Sequence, residues 1–279
     1  MAPAEIPIKR TKNKNTITPI RFKILICVFL LFCISAFLWF ALSPFSTGGN
    51  SPTEQYPVVE NDLISAFAQA HGLPLTAWPA HLIDLLEKNP DTKDFVLNYP
   101  LKKDLSPEIN LRECINTEAV PLLLQWDERW GYTKYGNDMM GLTGCGPTCL
   151  SMVCLYLLDD PRYTPRYVAD FAVENGYCVP GNGTAWTLIS KGGITLGLDV
   201  TELPLDKNRI IRNLQVGNPI ICIMGPGDFT TTGHFIVMTD YIDGKIKIND
   251  PNSPTRSEML WDYEVIKGQI RNLWACRKK

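Results

Sequence analysis

The segment Thr143-Gly144-Cys145-Gly146-Pro147-Thr148-Cys149 sets a thiol where a glycine-rich turn meets a long apolar run ending at Leu158. Pro147 suits a first helical turn, because its fixed φ is already helical and its missing N–H has no partner to lose there. Cys145 therefore reads as the start of a helix, where unpaired N–H groups and the macrodipole favour an anion. Such a setting lowers a thiol's pKa toward the nucleophilic thiolate. The flanking glycines are expected to let a substrate carbonyl approach the sulfur. Cys149 and Cys154, deeper in the run, read as buried packing residues.

A thiolate needs a base, and from Val120 to Lys279 the chain holds a single histidine, His234. It follows the Gly/Thr-rich stretch Gly225–Gly233 and opens the apolar strand His-Phe-Ile-Val-Met, which makes it the sole candidate partner for Cys145. The next strand, Lys245–Asp250, ends in Asp250-Pro251-Asn252. Asp250 suits the third role, orienting the imidazole, although an Asp before Pro also serves as a plain turn initiator. Register decides between them. A three-residue loop Ile242-Asp243-Gly244 would face Tyr241 with Lys245 and put Asp250 opposite Ile236, on the sheet face of His234. A two-residue loop would put Asp250 opposite Val237, on the wrong face, unless a bulge compensates.

The elements around these residues run helices first, strands later. Helical patterns cover Cys145–Leu158, Pro165–Asn175 and Thr184–Leu196; strand patterns cover Leu198–Leu203, Ile220–Met224, His234–Tyr241, Lys245–Asp250 and Asn272–Cys276. That order predicts an α+β domain with a mainly antiparallel sheet over residues 120–279. Residues 58–119 carry two short amphipathic helical patterns, Glu60–Ala70 and Pro79–Lys88, and read as a helical stem. Its histidines, His71 and His81, read as surface or packing residues.

The N-terminal region has a different composition. Residues 1–23 carry six Lys/Arg against one acid, leaving 21 basic and 28 acidic residues elsewhere, a net of −7. An acidic body argues against nucleic-acid partners. Residues 24–42 are nineteen in number, without charge, Pro or Gly; at about 1.5 Å per residue they span a hydrocarbon core of about 30 Å. The cations before the span predict a cytoplasmic basic segment, 1–23, and an extracytoplasmic remainder. A cleaved secretory signal is the alternative, but the run is long for one and Ala41-Leu42-Ser43 is followed by Pro44. Residues 43–57, rich in Ser, Pro, Gly and Thr, read as a flexible tether. Seven cysteines outside the span, with no CxxC pair, do not form a disulfide framework, so at least one thiol is expected to be free.

Gly-Cys-Gly-Pro-Thr at a helix start, Gly-His-Phe-Ile-Val and Asn-Asp-Pro-Asn together resemble the papain-like cysteine peptidases of the bacteriocin-processing type, cysteine peptidase family thirty-nine, in its stand-alone bacterial branch. The resemblance covers roughly residues 120–276. It implies a papain-like α+β fold with the nucleophile at a helix start and an antiparallel sheet half. Its implied site is Cys145 as nucleophile, His234 as general base and Asp250 as orienting residue, acting on a peptide or protein. Members also carry an upstream glutamine as oxyanion-hole donor, matched here by Gln125 in Leu-Leu-Gln-Trp-Asp-Glu-Arg-Trp. Transporter-fused members keep that glutamine only a few residues before the cysteine; here twenty positions separate them, as in the stand-alone branch. No fused transporter is expected to follow, so processing of double-glycine leaders during export is not expected to carry over.

Three rival readings stand beside this one. Cys145, Cys149 and His234 have the residue types of a zinc site, though the flanking Gly-Cys-Gly-Pro has no use in ligation. The same thiol site supports acyl transfer to an amine in place of hydrolysis. A membrane-tethered binding module that keeps the fold without turnover is the third. The thiol chemistry itself calls for no metal or organic cofactor.

Overall fold

The computed structural model describes residues 62–181 and 183–279. The basic segment, the apolar span 24–42 and the tether lie outside them, and among the described residues no helix is long and apolar enough to cross a membrane.

The stem comes first in the chain. It holds α1 (Asp62–His71), α2 (Ala80–Lys88) and α3 (Lys93–Lys102), joined by single 3-10 turns. α3 falls outside the expected elements, because its buried residues Phe95, Val96 and Leu97 are consecutive and give no helical spacing to read. The stem is not a separate layer. Ile64, Ala68, Trp78, Leu82, Leu86 and Phe95 form one apolar cluster with Met139, and Trp126, Tyr132 and Leu142 pack on it.

Beyond a small hairpin, β1 (Lys134–Tyr135) with β2 (Asp138–Met139), and a single turn α4 (Met140–Thr143), comes α5 (Cys145–Leu158). Every residue of α5 from Gly146 to Leu155 is buried, as expected of a helix apolar all round. It ends at Asp159 in the left-handed conformation, φ 53°. α6 (Pro165–Glu174) starts on Thr164, whose hydroxyl accepts the Tyr167 N–H, with Pro165 in the first turn. A second hairpin follows, β3 (Cys178–Val179) with β4 (Gly183–Thr184). The helix expected over Thr184–Leu196 is instead a π-turn, Leu188–Gly192, and a single turn α7 (Gly193–Thr195). Gly192 and Gly193 both keep right-handed helical angles, so the segment is helical as expected but starts later, at Leu188.

The sheet half contains β5 (Leu198–Glu202), α8 (Lys207–Gln215), β6 (Ile220–Met224), β7 (His234–Ile242), β8 (Lys245–Asn249), α9 (Pro254–Glu258), β9 (Leu260–Trp261), α10 (Tyr263–Ile266) and β10 (Ile270–Lys278). Its six strands run β5-β10-β6-β7-β8-β9, every pair antiparallel. Alternation divides their side chains between two cores. Ile221, Ile223, Phe235, Val237 and Trp274 pack with Leu150 and Val153 of α5. Ile220, Cys222, Ile236, Met238, Ile246 and Ile248 pack with Ile210 and Leu214 of α8. The chain is thus α+β, as its element order predicts.

The β7–β8 hairpin corrects one expectation. Ile242 pairs with Lys245, so the loop has two residues, Asp243 and Gly244, both left-handed at φ 51° and 81°. That is the Asp-Gly turn whose twist matches the strands it joins. Left alone, this register would send Asp250 to the wrong face. The shift comes between Met238 and Asp240: Met238 faces Ile248, whereas Asp240 faces Lys247, so Thr239 is an extra, bulged residue. Beyond the bulge Val237 faces Asn249, the last residue of β8, so the register extended by one position sets Asp250 at the level of Ile236.

Stem and body meet closely at Phe95, where a Cβ on Gly141 would lie 2.4 Å from the ring and one on Gly131 2.7 Å. Gly141→Ala should therefore cost about 1–3 kcal/mol and Phe95→Ala about 3–5 kcal/mol. In the double variant the alanine at 141 should cost almost nothing further, since the ring it strikes is gone. Urea unfolding of the four proteins measures this; purely additive costs would contradict the packing described.

Candidate active site

α5, β7 and the end of β8 bring three side chains together. Cys145 is the first residue of α5 and is partly exposed, unlike the buried run that follows it. Its thiol lies against the His234 ring and close to the backbone N–H groups of Phe235 and Gly146. His234 is buried at the start of β7, and its Nε2 lies 2.7 Å from Asp250 Oδ1. Asp250 is wholly buried. Its other oxygen, Oδ2, accepts from Arg256 Nε at 2.6 Å, while the Asn252 N–H donates to Oδ1 at 2.8 Å.

The electrostatics follow from these contacts. Burial pushes the Cys145 thiol up, but the imidazole and the two N–H groups outweigh it, and the net shift is downward. Burial likewise opposes charge on His234, yet Asp250 and Cys145 raise its pKa to about 10. Burial raises the Asp250 carboxyl, and His234 and Arg256 together bring it below its ordinary value. Both shifts run in the direction that favours a thiolate against an imidazolium, the ionised form needed for nucleophilic attack.

A sequence model of the Peptidase_C39 like family matches residues 117–279. The chain belongs to this family. It carries a C39-like cysteine peptidase domain. Two solved structures are similar. One is the peptidase domain of Streptococcus ComA, a bi-functional ABC transporter involved in a quorum-sensing pathway, at 17% identity over 57% of this chain and 99% of that one, with a TM-score of 0.41. The other is described as a C39-like peptidase from Bacillus anthracis, at 14% identity over 62% of this chain and 98% of that one, with a TM-score of 0.39. No curated protein matches.

Gln125 of this peptidase is 4% exposed and sits in a segment tied to both sides of the site. Its backbone N–H donates to the Pro251 carbonyl (2.7 Å), next to Asp250, and its Nε2 donates to the Gly141 carbonyl (2.9 Å), four residues before Cys145. Its Oε1 is buried with no hydrogen-bond partner among the described residues, a costly state for an amide oxygen.

The glycines beside Cys145 have a different use from the one expected. A Cβ on Gly146 would lie 2.7 Å from Thr184, and one on Gly144 would lie 2.6 Å from the Met140 carbonyl. They let α4 and β4 close on the start of α5 and do not leave open space there. Thr184 is in turn hydrogen-bonded to the Tyr135 hydroxyl at 2.8 Å.

The remaining expected residues fall elsewhere. Cys149 and Cys154 are fully buried, and burial pushes both thiols well up. The seven described cysteines are all free. His71 stacks on Phe67 and His81 faces Asp138. Among the described residues no group of three or more His, Cys, Asp or Glu is arranged to hold a metal ion.

Arg256 is the residue that sequence reading missed. The signal was local: Ser253 caps α9 by accepting the Arg256 N–H at 3.1 Å, with Pro254 in the first turn. That one-turn helix folds the chain back, so a residue six positions past Asp250 returns to its carboxylate.

Iodoacetamide at pH 6 should therefore modify Cys145 and spare Cys149, Cys154, Cys222 and Cys276, as read by peptide mass mapping. The rate should fall only as pH drops through the depressed thiol pKa, and His234→Asn should move that limb up toward the ordinary thiol value of about 8.5. Equal labelling of Cys145 and Cys149 would contradict the geometry.

Proposed function

We propose that this peptidase hydrolyses peptide or protein amide bonds with Cys145 as nucleophile, His234 as general base and acid, Asp250 as the orienting carboxylate and Gln125 as oxyanion donor. One observation carries the reading: the Cys145 thiol lies against the His234 ring, whose Nε2 is hydrogen-bonded to Asp250.

The Cys145 sulfur attacks the carbonyl carbon, forming a C–S bond while the carbonyl electrons move onto oxygen. The second N–H of the Gln125 side chain and the backbone N–H of Cys145 hold that oxygen; the first Gln125 N–H is already engaged with Gly141. His234 protonates the leaving amine as the C–N bond breaks, giving a thioester and a neutral imidazole. A water then loses its proton to His234, attacks the thioester carbon and releases the acid, and the Cys145 thiolate and His234 imidazolium are restored. Below the depressed thiol pKa the nucleophile is protonated. Above about 10 the imidazolium is lost and the leaving amine has no proton donor. Turnover should be highest between these limits.

The proposal includes location. Residues 24–42 would hold the chain in the membrane as a single span, with residues 1–23 cytoplasmic and the peptidase domain outside. Support comes from the length of the apolar run and from the cations preceding it.

Peptide-library profiling of the full chain in detergent should yield cleavage products that Cys145→Ala abolishes. Gln125→Ala should lower kcat by about 10²–10³ with KM nearly unchanged, because its donor acts on charge that develops only in the transition state. A Gln125→Ala enzyme with full kcat would remove Gln125 from the mechanism, and cleavage surviving Cys145→Ala would overturn the whole.

A further inference from the structure

The stem lies before the family match, which starts at residue 117, yet its polar contacts reach the loop that follows Asp250. Asn89 Nδ2 donates to the Asn252 carbonyl at 2.7 Å and to its side-chain oxygen at 3.2 Å. Asp91 Oδ2 accepts from Ser253 Oγ at 3.0 Å, and both Asp91 oxygens accept from Thr255 Oγ1 at 3.2 Å. The residues gripped are the ones that hold Asp250. The Asn252 N–H donates to its Oδ1; Ser253 caps the turn that returns Arg256 to its Oδ2.

The gripping side is itself fixed. Thr92 Oγ1 donates to the Asn89 carbonyl at 2.7 Å, Trp78 Nε1 donates to the Val96 carbonyl at 2.8 Å, and the Tyr132 hydroxyl donates to the Phe95 carbonyl at 2.7 Å. These contacts brace the turn that carries Asn89 and Asp91.

We infer that Asn89 and Asp91 are positioning residues for the active site, so that the stem is a working part of the peptidase and not a spacer. The inference rests on the proposed Cys145–His234–Asp250 site. Through Asn252 and Ser253 the two stem residues fix where Asp250 stands. Asp250 fixes the imidazole, and the imidazole sets how readily the thiol ionises. Loosening the grip moves the carboxylate off the ring, weakens the imidazolium and raises the pH at which the thiolate forms.

The test is the pH dependence of iodoacetamide alkylation at Cys145 in the full chain, which needs no substrate, with circular dichroism and melting temperature recorded alongside. In Asn89→Ala/Asp91→Ala the acid limb should move up by about one unit, making the reaction at pH 6 about tenfold slower. Asp91→Asn, which keeps an acceptor oxygen, should restore the profile to the Asn89→Ala background. Lys102→Ala cuts a different stem–body pair, Lys102 with Glu128; it should lower the melting temperature and leave the profile alone. A folded double variant with the wild-type profile, or an equal shift in Lys102→Ala, overturns the inference. Should the double variant not fold, Asn89→Ala and Asp91→Ala each cut one arm of the grip singly, and an unchanged profile in both overturns it equally. Failure of the underlying site would look different: wild-type Cys145 would show no depressed limb for His234→Asn to abolish.

Discussion

A carboxylate with no exposure to water dominates this molecule. Burying the Asp250 charge is costly unless its oxygens are paired with opposite charge and hydrogen bonds. The fold meets that requirement with an imidazole and an N–H on one oxygen and a guanidinium on the other. Each partner arrives on a different piece of chain: β7, the turn after β8, and α9. Much of the local architecture follows from bringing them together. The Ser253 cap, the single turn of α9 and the Asp250 N–H bound to Ser257 Oγ at 2.8 Å all serve one small volume.

The thiol depends on the same arrangement at one remove. A sulfur at a helix start gains some stabilisation from backbone N–H groups, but α5 is otherwise enclosed by apolar side chains, and enclosure favours the neutral thiol. At Cys145 the imidazole, with the N–H groups of Phe235 and Gly146, reverses the balance, and Cys149, one turn further along, shows the outcome without any of them. The two differ in neighbours more than in position along the helix. This is why the sheet's register matters to chemistry done at a helix end: a slip of one residue in β8 would withdraw the carboxylate, then the imidazolium, then the thiolate.

Much of this was legible in the residues. A cysteine between glycines before an apolar run, a lone histidine opening a strand, and an aspartate closing the next one are local patterns, and β6 runs over Ile220–Met224 as its composition indicates. The hairpin was not legible in detail. Asp243-Gly244 signals a two-residue turn, and that turn alone gives the wrong register; the remedy is Thr239, whose type carries no mark of a bulge. Arg256 escaped because its partner lies across a turn that forms only once Ser253 caps it. The stem's reach to Asn252 and Ser253 escaped for a broader reason: contacts across some 160 positions have no local signature. Gln125 was legible only through family resemblance, and its place beside the Gly141 and Pro251 carbonyls emerges from the fold.

The account turns on His234 carrying a proton between a thiolate and a carboxylate. With three histidines in the chain, nitrogen-15 histidine labelling and NMR follow that ring directly, with His234→Asn identifying its signals. His234 should stay doubly protonated at pH 8 and lose its proton only near about 10, and Cys145→Ala should lower that value. A ring that titrates near the ordinary 6.5, unmoved by Cys145→Ala, would contradict the account.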